Sequence, residues 1–130
     1  MFIKRGDTVC PRSQYHSVCS LGGKFLVASG GGSSLSTSEL YHIALNQWIE
    51  LPNMRNGRMF HSSCGFNDRA VYVFFGFNQS KVNSIERFDL DHRDWTIINT
   101  NYLSLRHTNF YVQVAQKDKE SILILGGYDA

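Results

Sequence analysis

The sequence has no apolar run approaching the roughly 20 residues that a membrane-spanning helix requires. Its first eleven residues include Lys4, Arg5 and Asp7 but no apolar core, so we expect no secretory signal. Apolar residues do not recur at the spacing of an amphipathic helix either. These absences argue against a membrane protein and against a helical fold.

Charge and cysteine are also scarce. Charged residues make up 18% of the chain and the net charge is +2, with lysine and arginine scattered rather than grouped. Without a basic stripe, binding to nucleic acid or to a membrane has little support. The three cysteines are odd in number and far apart, which fits a reducing compartment better than a disulfide framework. We therefore expect a cytoplasmic protein.

Residues 58–95 have the pattern of one complete structural unit. It contains four short runs of apolar or alternating residues, separated by turn residues that include 67–69 and 91–94. The runs begin near Arg58, Ala70, Ile85 and Trp95. Short runs of this kind between turn signals predict a small antiparallel sheet of four strands.

The unit repeats along the chain with a period near 47 residues. Equivalent residues are separated by 45 to 48 positions: Trp48 and Trp95, Tyr41 and Phe88, Glu39 and Glu86, His16 and His61, and Arg12, Arg58 and Arg106. Chance would not align so many landmarks in one register, so we predict a repeat protein.

The pattern resembles the kelch repeat, in which an apolar strand ending in a glycine pair is followed by a Tyr and, seven residues later, by a Trp. Glycine pairs stand at residues 30–31 and 126–127, whereas the middle copy has Phe75-Gly76, and Phe88 replaces its Tyr. Glycine at a strand end permits positive φ, which a Cβ would obstruct. Because Phe75 carries a Cβ, we expect an ordinary backbone conformation at this position. A Trp-Asp repeat and a sialidase-type Asp box are excluded because neither Trp stands in the required run.

The resemblance implies an all-β chain of kelch-type β-propeller blades, each made of four antiparallel strands. We expect an N-terminal extension at 1–11, a first blade at 12–57, a second at 58–105 and a partial third at 106–130, whose turn at 116–119 is longer than the others. A lone sheet cannot cover its aromatic surface, so the Tyr or Phe and the Trp should pack between blades. The propeller is then incomplete, and a longer chain or another chain would supply the missing blades.

Two His-x-x-Cys pairs, His16 with Cys19 and His61 with Cys64, carry residue types that bind zinc. Residues three apart on a strand point to opposite faces, so neither pair can chelate one ion and no metal is expected. The serine that follows each histidine points away from it for the same reason, which argues against nucleophilic catalysis.

The glycine-rich stretch at 30–34 has no Lys-Ser or Lys-Thr and no helix after it, so it predicts a turn and not a phosphate loop. Glu39 and Glu86 occupy equivalent positions of two copies. We interpret them as structural residues that accept hydrogen bonds from arginine or backbone groups of a neighbouring blade. No cofactor is expected.

What the kelch resemblance implies for function is a non-catalytic protein–protein interaction module. In such propellers the loops at one end form a shallow bowl that grips a protein segment, as in substrate adaptors for ubiquitin ligases and in cytoskeletal scaffolds. The alternative is part of a metal-dependent kelch-propeller enzyme, similar to galactose oxidase with its copper or to the iron-dependent nitrile-specifier proteins. Neither ligand set can be placed residue by residue on this sequence.

The loops that match this end are 31–38, 51–57 and 77–84. Seven polar residues near the loop tips, for which we expect no role in the repeat itself, are the predicted partner-binding residues: Ser33, Ser34, Arg55, Asn56, Asn78, Gln79 and Lys81. The two cations among them, Arg55 and Lys81, favour a partner with an acidic segment.

Overall fold

The computed structural model describes residues 1–4, 6–12, 14–99 and 110–128. Within these ranges the chain forms twelve β-strands and no helix, and hence no helix that could cross a membrane. The first sheet has the strand order β1-β2-β3-β4 with antiparallel neighbours. Its strands are β1 (Ser17–Leu21), β2 (Phe25–Ser29), β3 (Ser38–His42) and β4 (Gln47–Leu51).

The second sheet repeats this arrangement with one insertion. The strands in this part of the chain are β5 (Ser62–Phe66), β6 (Ala70–Phe74), β7 (Phe77–Asn78), β8 (Ser80–Lys81), β9 (Ile85–Asp89) and β10 (Asp94–Ile98). The sheet order is β10-β9-β6-β5, and β7 and β8 form a small hairpin in the link between β6 and β9. The prediction of an all-β chain with sheets of four antiparallel strands is confirmed.

The last part of the described chain is a two-stranded hairpin of β11 (Phe110–Asp118) and β12 (Ser121–Tyr128). The expectation of a long turn at 116–119 is wrong, because strand pairing continues into this segment. Gln116 pairs with Ile122 and Asp118 pairs with Ser121, with a register shift between the two pairs. Arg106 and His107, which were expected to begin this copy, lie outside the described residues.

The two sheets and the hairpin pack face to face, with β5 in contact with both β1 and β11. Two apolar clusters fill the interfaces. Between the sheets lie Leu21, Val27, Leu40, Met54, Val71, Val73, Phe88 and Trp95. Between the second sheet and the hairpin lie Cys64, Phe74, Phe75, Ile85 and Val112, with Ile122 and Ile124 packed against them. The backbones approach closely at Gly65, where an added Cβ would lie 2.2 Å from the carbonyl oxygen of Ser20.

The two repeat tryptophans occupy equivalent places with different cover. Trp95 packs against Phe88 in a tilted ring pair with centroids 5.4 Å apart, is buried between the sheets, and donates from Nε1 to the carbonyl oxygen of Pro52 at 3.1 Å. Trp48 packs against Tyr41 in a tilted pair with centroids 5.0 Å apart and donates to the carbonyl oxygen of Gly6 at 3.1 Å, but it remains half-buried. The expected packing of the aromatic residues between sheets is therefore confirmed for the second copy.

Phe75 corrects one expectation. Its φ is 59°, close to the 62° of Gly30 and the 70° of Gly126, so its backbone is left-handed and not ordinary. The cause is the repeat itself: the N–H groups of Gly30 and Phe75 bond the carbonyl oxygens of Thr37 and Ser84, which close equivalent loops. The Phe75 side chain is 1% exposed within the second cluster, and this burial offsets the strain of the position.

Candidate functional site

The three predicted loops lie at one edge of the sheets. Ser17 pairs with Ser29 and Ser62 pairs with Phe74, so the starts of β1 and β5 lie beside the ends of β2 and β6. We call this edge, which carries residues 30–37, 52–61 and 75–84, the loop edge. The opposite edge carries the short turns, such as the one at Gly22, whose added Cβ would meet Asp68.

A buried ion pair holds the loop edge of the second sheet. Nη2 of Arg58 lies 2.5 Å from Oε2 of Glu86, and neither side chain is exposed. Nη1 of Arg58 donates to the carbonyl oxygens of Phe75 at 2.9 Å and Ser84 at 2.8 Å, the two ends of the 75–84 loop. One arginine thereby fixes both ends of that loop to one carboxylate.

The first sheet repeats this arrangement. Nε of Arg12 donates to Oε2 of Glu39 at 3.1 Å, and Nη1 donates to the carbonyl oxygens of Gly30 at 2.7 Å and Thr37 at 3.3 Å. The sequence analysis predicted arginine donors for Glu39 and Glu86, but it did not identify Arg12 and Arg58 as these donors. The signal that could have identified them is the Arg-to-Glu separation, 27 residues in one copy and 28 in the other.

The glutamates also accept hydrogen bonds from the backbone. Oε1 of Glu86 accepts from the N–H of Arg55 at 2.6 Å, and Oε2 accepts from the N–H of Asn56 at 3.0 Å. Glu39 accepts from the N–H groups of Val9 at 2.6 Å and Cys10 at 3.3 Å. The prediction of a structural, hydrogen-bond-accepting role is confirmed. The arginine donor lies in each carboxylate's own copy, whereas the backbone donors lie in the preceding segment, which for Glu86 is the end of the predicted first blade.

The predicted partner-binding residues fall into two groups. A cleft of about 710 Å³ opens between the 55–57 link, the β7–β8 hairpin and the end of β10. Four predicted residues line it: Arg55, Asn56, Asn78 and Lys81. Gln79, at the exposed tip of the hairpin, and Ser33 and Ser34, in the first loop, are not among its lining residues.

The expectation that these residues have no role in the repeat is wrong for several of them. The backbone N–H groups of Arg55 and Asn56 bond Glu86, as described above. The hydroxyl groups of Ser33 and Ser34 donate to the carbonyl oxygen of Pro11 at 3.0 and 2.6 Å. The side chains of these two residues also contact the second sheet: Nε of Arg55 donates to the carbonyl oxygen of Trp95 at 3.1 Å, and Nδ2 of Asn56 donates to Oγ of Ser84 at 2.8 Å.

The cleft offers amide and cationic groups above an apolar wall. Asn83 and Asn99 join the two predicted asparagines, and Ile97, which is 52% exposed, supplies apolar surface. The guanidinium of Arg55 lies 2.9 Å from the Asp94 carboxylate in a half-exposed pair. Its positive charge is therefore partly offset, while Lys81 adds an exposed cation at the hairpin.

A second feature of the loop edge, at the starts of β1, β5 and β11, was missed from the sequence. Tyr15, Phe60 and Tyr111 all have a left-handed backbone, with φ of 64°, 57° and 59°. The N–H of Phe60 donates to the carbonyl oxygen of Tyr15 at 3.1 Å, and the N–H of Tyr111 donates to that of Phe60 at 3.2 Å. The rings follow the same row, with centroids 4.1 Å apart for the first pair and 5.3 Å for the second.

The left-handed backbone of the row has an energetic cost, and the ring contacts offset part of it. A left-handed backbone costs a residue with a Cβ roughly 1–2 kcal/mol. An aromatic pair contributes roughly 0.5–1.5 kcal/mol beyond its buried area. Glycine at these positions would not incur the cost of the left-handed backbone.

The histidines and cysteines do not form a reactive site in the part of the chain that the structure describes. His61 is buried and its Nε2 lies 2.9 Å from Oγ of Ser29. Desolvation lowers the pKa of His61 to about 3, with the charges of Arg58, His16 and Arg12 acting in the same direction. This imidazole is therefore a weak base, and Ser29, at 1% exposed, is out of reach of a substrate.

Cys19 and Cys64 are thiols rather than thiolates. Burial raises the pKa of Cys19 to about 11 and also raises the pKa of Cys64. Neither is activated as a nucleophile or ready to bind a metal ion. Among the described residues, no group of three or more His, Cys, Asp or Glu side chains could hold a metal ion.

The chain has a distant similarity to a curated protein. No protein-family model matches it. It is similar, at 26% identity over 107 residues, to a RING finger domain and kelch repeat-containing protein of Dictyostelium discoideum. The similarity covers 81% of this chain but only 10% of that protein, so the chain spans about a tenth of the length of the curated relative it matches.

Proposed function

We propose that this chain is part of a kelch-type β-propeller and acts as a non-catalytic protein–protein interaction module. The repeat of the Arg–Glu pairs in the two sheets and the kelch repeats named in the relative support the family. The observation that carries the proposed activity is the cleft, in which four residues chosen from the sequence lie together on loops held by one buried ion pair.

The proposed partner is a protein segment with acidic residues. Lys81 is exposed at the cleft and Arg55, whose charge Asp94 partly offsets, lies on its other side, so a carboxylate there would lie in a region of positive charge. The amide side chains of the cleft can donate to and accept from a peptide backbone. The proposal includes no role for nucleic acid or membrane.

We also propose a cellular role, a location and a domain organisation for the protein. The relative carries a RING finger domain in its name, which supports a substrate-adaptor or scaffold role linked to a ubiquitin ligase. We place the protein in the cytoplasm, with the blades at 12–57 and 58–105 and a partial third at 106–130. A longer chain or another chain supplies the remaining blades.

The test uses the full-length protein. Cells expressing the tagged wild type or the double variant Arg55→Ala/Lys81→Ala are compared by affinity capture and mass spectrometry. We expect captured proteins to lose at least tenfold in abundance in the double variant. Its melting temperature should fall only slightly, because Arg55→Ala removes one hydrogen bond to the Trp95 carbonyl oxygen and one half-exposed ion pair. The matched control is Lys24→Ala/Arg93→Ala, which removes the same two charges from exposed turns at the opposite edge.

Equal capture by wild type and double variant would rule out the cleft as the binding surface. The non-catalytic part of the proposal has its own test, metal analysis of the purified full-length protein. Copper or iron bound at one ion per chain would instead favour the metal-dependent kelch enzyme.

A further inference from the structure

The row of Tyr15, Phe60 and Tyr111 surrounds a small cleft at the starts of β1, β5 and β11. The cleft has a volume of about 190 Å³ and its walls also include His16, Ser62 and Gln113. Tyr15 is 44% exposed and Tyr111 is 55% exposed, so much of the aromatic surface faces solvent. This small cleft lies on the loop edge, as does the larger cleft beside Arg55 and Lys81.

The backbone of the row indicates that the side chains are retained for a purpose. Glycine adopts a left-handed φ without strain and occupies such a position at Gly30 and Gly126. Here three aromatic residues adopt it in equivalent positions of successive copies. Strained residues of this kind concentrate at binding and catalytic surfaces.

The size of the cleft limits what it can hold. Pockets for metabolites and cofactors span roughly 300–1,000 Å³, so 190 Å³ is small for such a ligand. It is of the size of a single large side chain. Aromatic side chains in small pockets are the usual anchors of protein interfaces.

The charges nearby decide between two kinds of occupant. Exposed aromatic faces attract both cations and other aromatic rings. His16 and His61 both line this cleft, and the pKa of His61 is lowered first by desolvation and then by the charges of Arg58, His16 and Arg12. A lysine or arginine side chain would enter a region that already disfavours positive charge, whereas a neutral ring would not.

We propose that the cleft bounded by Tyr15, Phe60 and Tyr111 receives one aromatic side chain of the bound protein segment. The inference rests on the proposed interaction function and adds an anchor to it. The partner segment then carries a Tyr, Phe or Trp for this cleft and acidic residues for the cleft beside Arg55 and Lys81. Both clefts lie on the loop edge, so one extended segment can occupy them together.

The experiment selects random 12-residue peptides, displayed on phage, against the immobilised full-length protein. We expect the enriched peptides to share one aromatic residue, and its replacement by alanine to weaken binding at least tenfold. The protein variant Tyr15→Gly/Tyr111→Gly should also bind these peptides at least tenfold more weakly. Its melting temperature should not fall, because glycine relieves the strain at both positions.

The matched control is Arg93→Gly, which relieves a left-handed residue with φ of 53° on an exposed turn at the opposite edge and should leave binding unchanged. Failure to enrich any peptide, enriched peptides without an aromatic residue, or full binding by the double glycine variant would each overturn the inference. If peptide binding then still depends on Arg55 and Lys81, the proposed function stands without the aromatic anchor. If it depends on neither pair of residues, both proposals fail.

Discussion

Arg58 and Glu86 form an ion pair that is fully buried, with 2.5 Å between Nη2 and Oε2. Two backbone N–H groups from the link before the second sheet complete the hydrogen bonding of the carboxylate. A buried pair of this kind adds little net stability compared with apolar residues, but removing one partner leaves an uncompensated charge. Its role here is to join three separate segments of the loop edge in one geometry.

The substitution Glu86→Gln should therefore be strongly destabilising. Glutamine keeps the size and part of the hydrogen bonding, but it leaves the Arg58 guanidinium buried without a counter-charge. We expect the free energy of unfolding to fall by about 3–5 kcal/mol. Urea unfolding followed by circular dichroism measures the change.

The control for this prediction is Asp94→Asn. It removes the charge that faces Arg55 in a half-exposed ion pair, with side chains 53% and 55% exposed. Such pairs contribute at most about 1 kcal/mol. Equal losses in the two variants would contradict the distinction between the buried and the exposed pair.

The fold could be predicted from the sequence because the repeat aligns its landmarks. The spacing of Trp48 and Trp95 and the turns around 67–69 were sufficient to predict four-stranded sheets. Asn67 and Asp68 adopt a left-handed backbone in that turn, with φ of 53° and 57°, which these residue types tolerate. The turn-forming residues and the spacing of the repeat both predicted sheets of four strands.

The candidate site could be predicted only in part. Loop polarity identified Arg55, Asn56, Asn78 and Lys81, which meet at one cleft, because loops at one end of a repeated sheet share an edge. The same reasoning missed Tyr15, whose aromatic row depends on a backbone conformation that residue type does not reveal. Residue polarity also could not show that the backbone N–H groups of Arg55 and Asn56 donate to the buried Glu86 carboxylate, since any residue except proline supplies such a donor.

The unequal burial of the two tryptophans gives a second prediction. Trp95→Ala should cost about 3–5 kcal/mol, because it leaves a cavity between two packed sheets. In the full-length protein Trp48→Ala should cost a similar amount, because the proposed missing blades would cover the first sheet as the first sheet covers the second. Hydrogen exchange measured over residues 38–51 and 85–98 reports each local loss. A much smaller effect at Trp48 would count against a blade on that face.

The left-handed backbone at Phe75 gives a third prediction, which compares two truncations at one position. Both Phe75→Ala and Phe75→Gly lose the buried ring, but only alanine keeps a Cβ in the strained conformation. We expect the glycine variant to be the more stable by about 1 kcal/mol. Chemical unfolding of both variants measures the difference.

At Val73, in the middle of β6, the order should be reversed. Glycine in a strand interior is less stable than alanine by roughly 0.5–1 kcal/mol, since it loses more backbone entropy on folding. If alanine were also preferred at position 75, the strain assigned to Phe75 would be wrong.

The burial of His61 makes stability depend on pH. Its pKa in the folded protein is about 3, below its usual value of 6.5, so the unfolded chain binds a proton more readily than the folded one. The stability contributed by the neutral imidazole is complete above about pH 6.5 and is lost as the pH falls toward 3. The free energy of unfolding should decrease by nearly 1.4 kcal/mol per pH unit over this window. Urea unfolding between pH 7.5 and 5 tests this, above the range in which carboxylates titrate.

The variant His61→Gln should have a lower stability at neutral pH but a much flatter dependence on pH, because the titrating group is gone. The control His92→Gln changes a histidine that is 84% exposed on the turn before β10, and it should keep the full slope. If His61→Gln retained the slope, the dependence would arise from other groups, and the buried, neutral state assigned to His61 would be wrong. A slope that is absent already in the wild type would lead to the same conclusion.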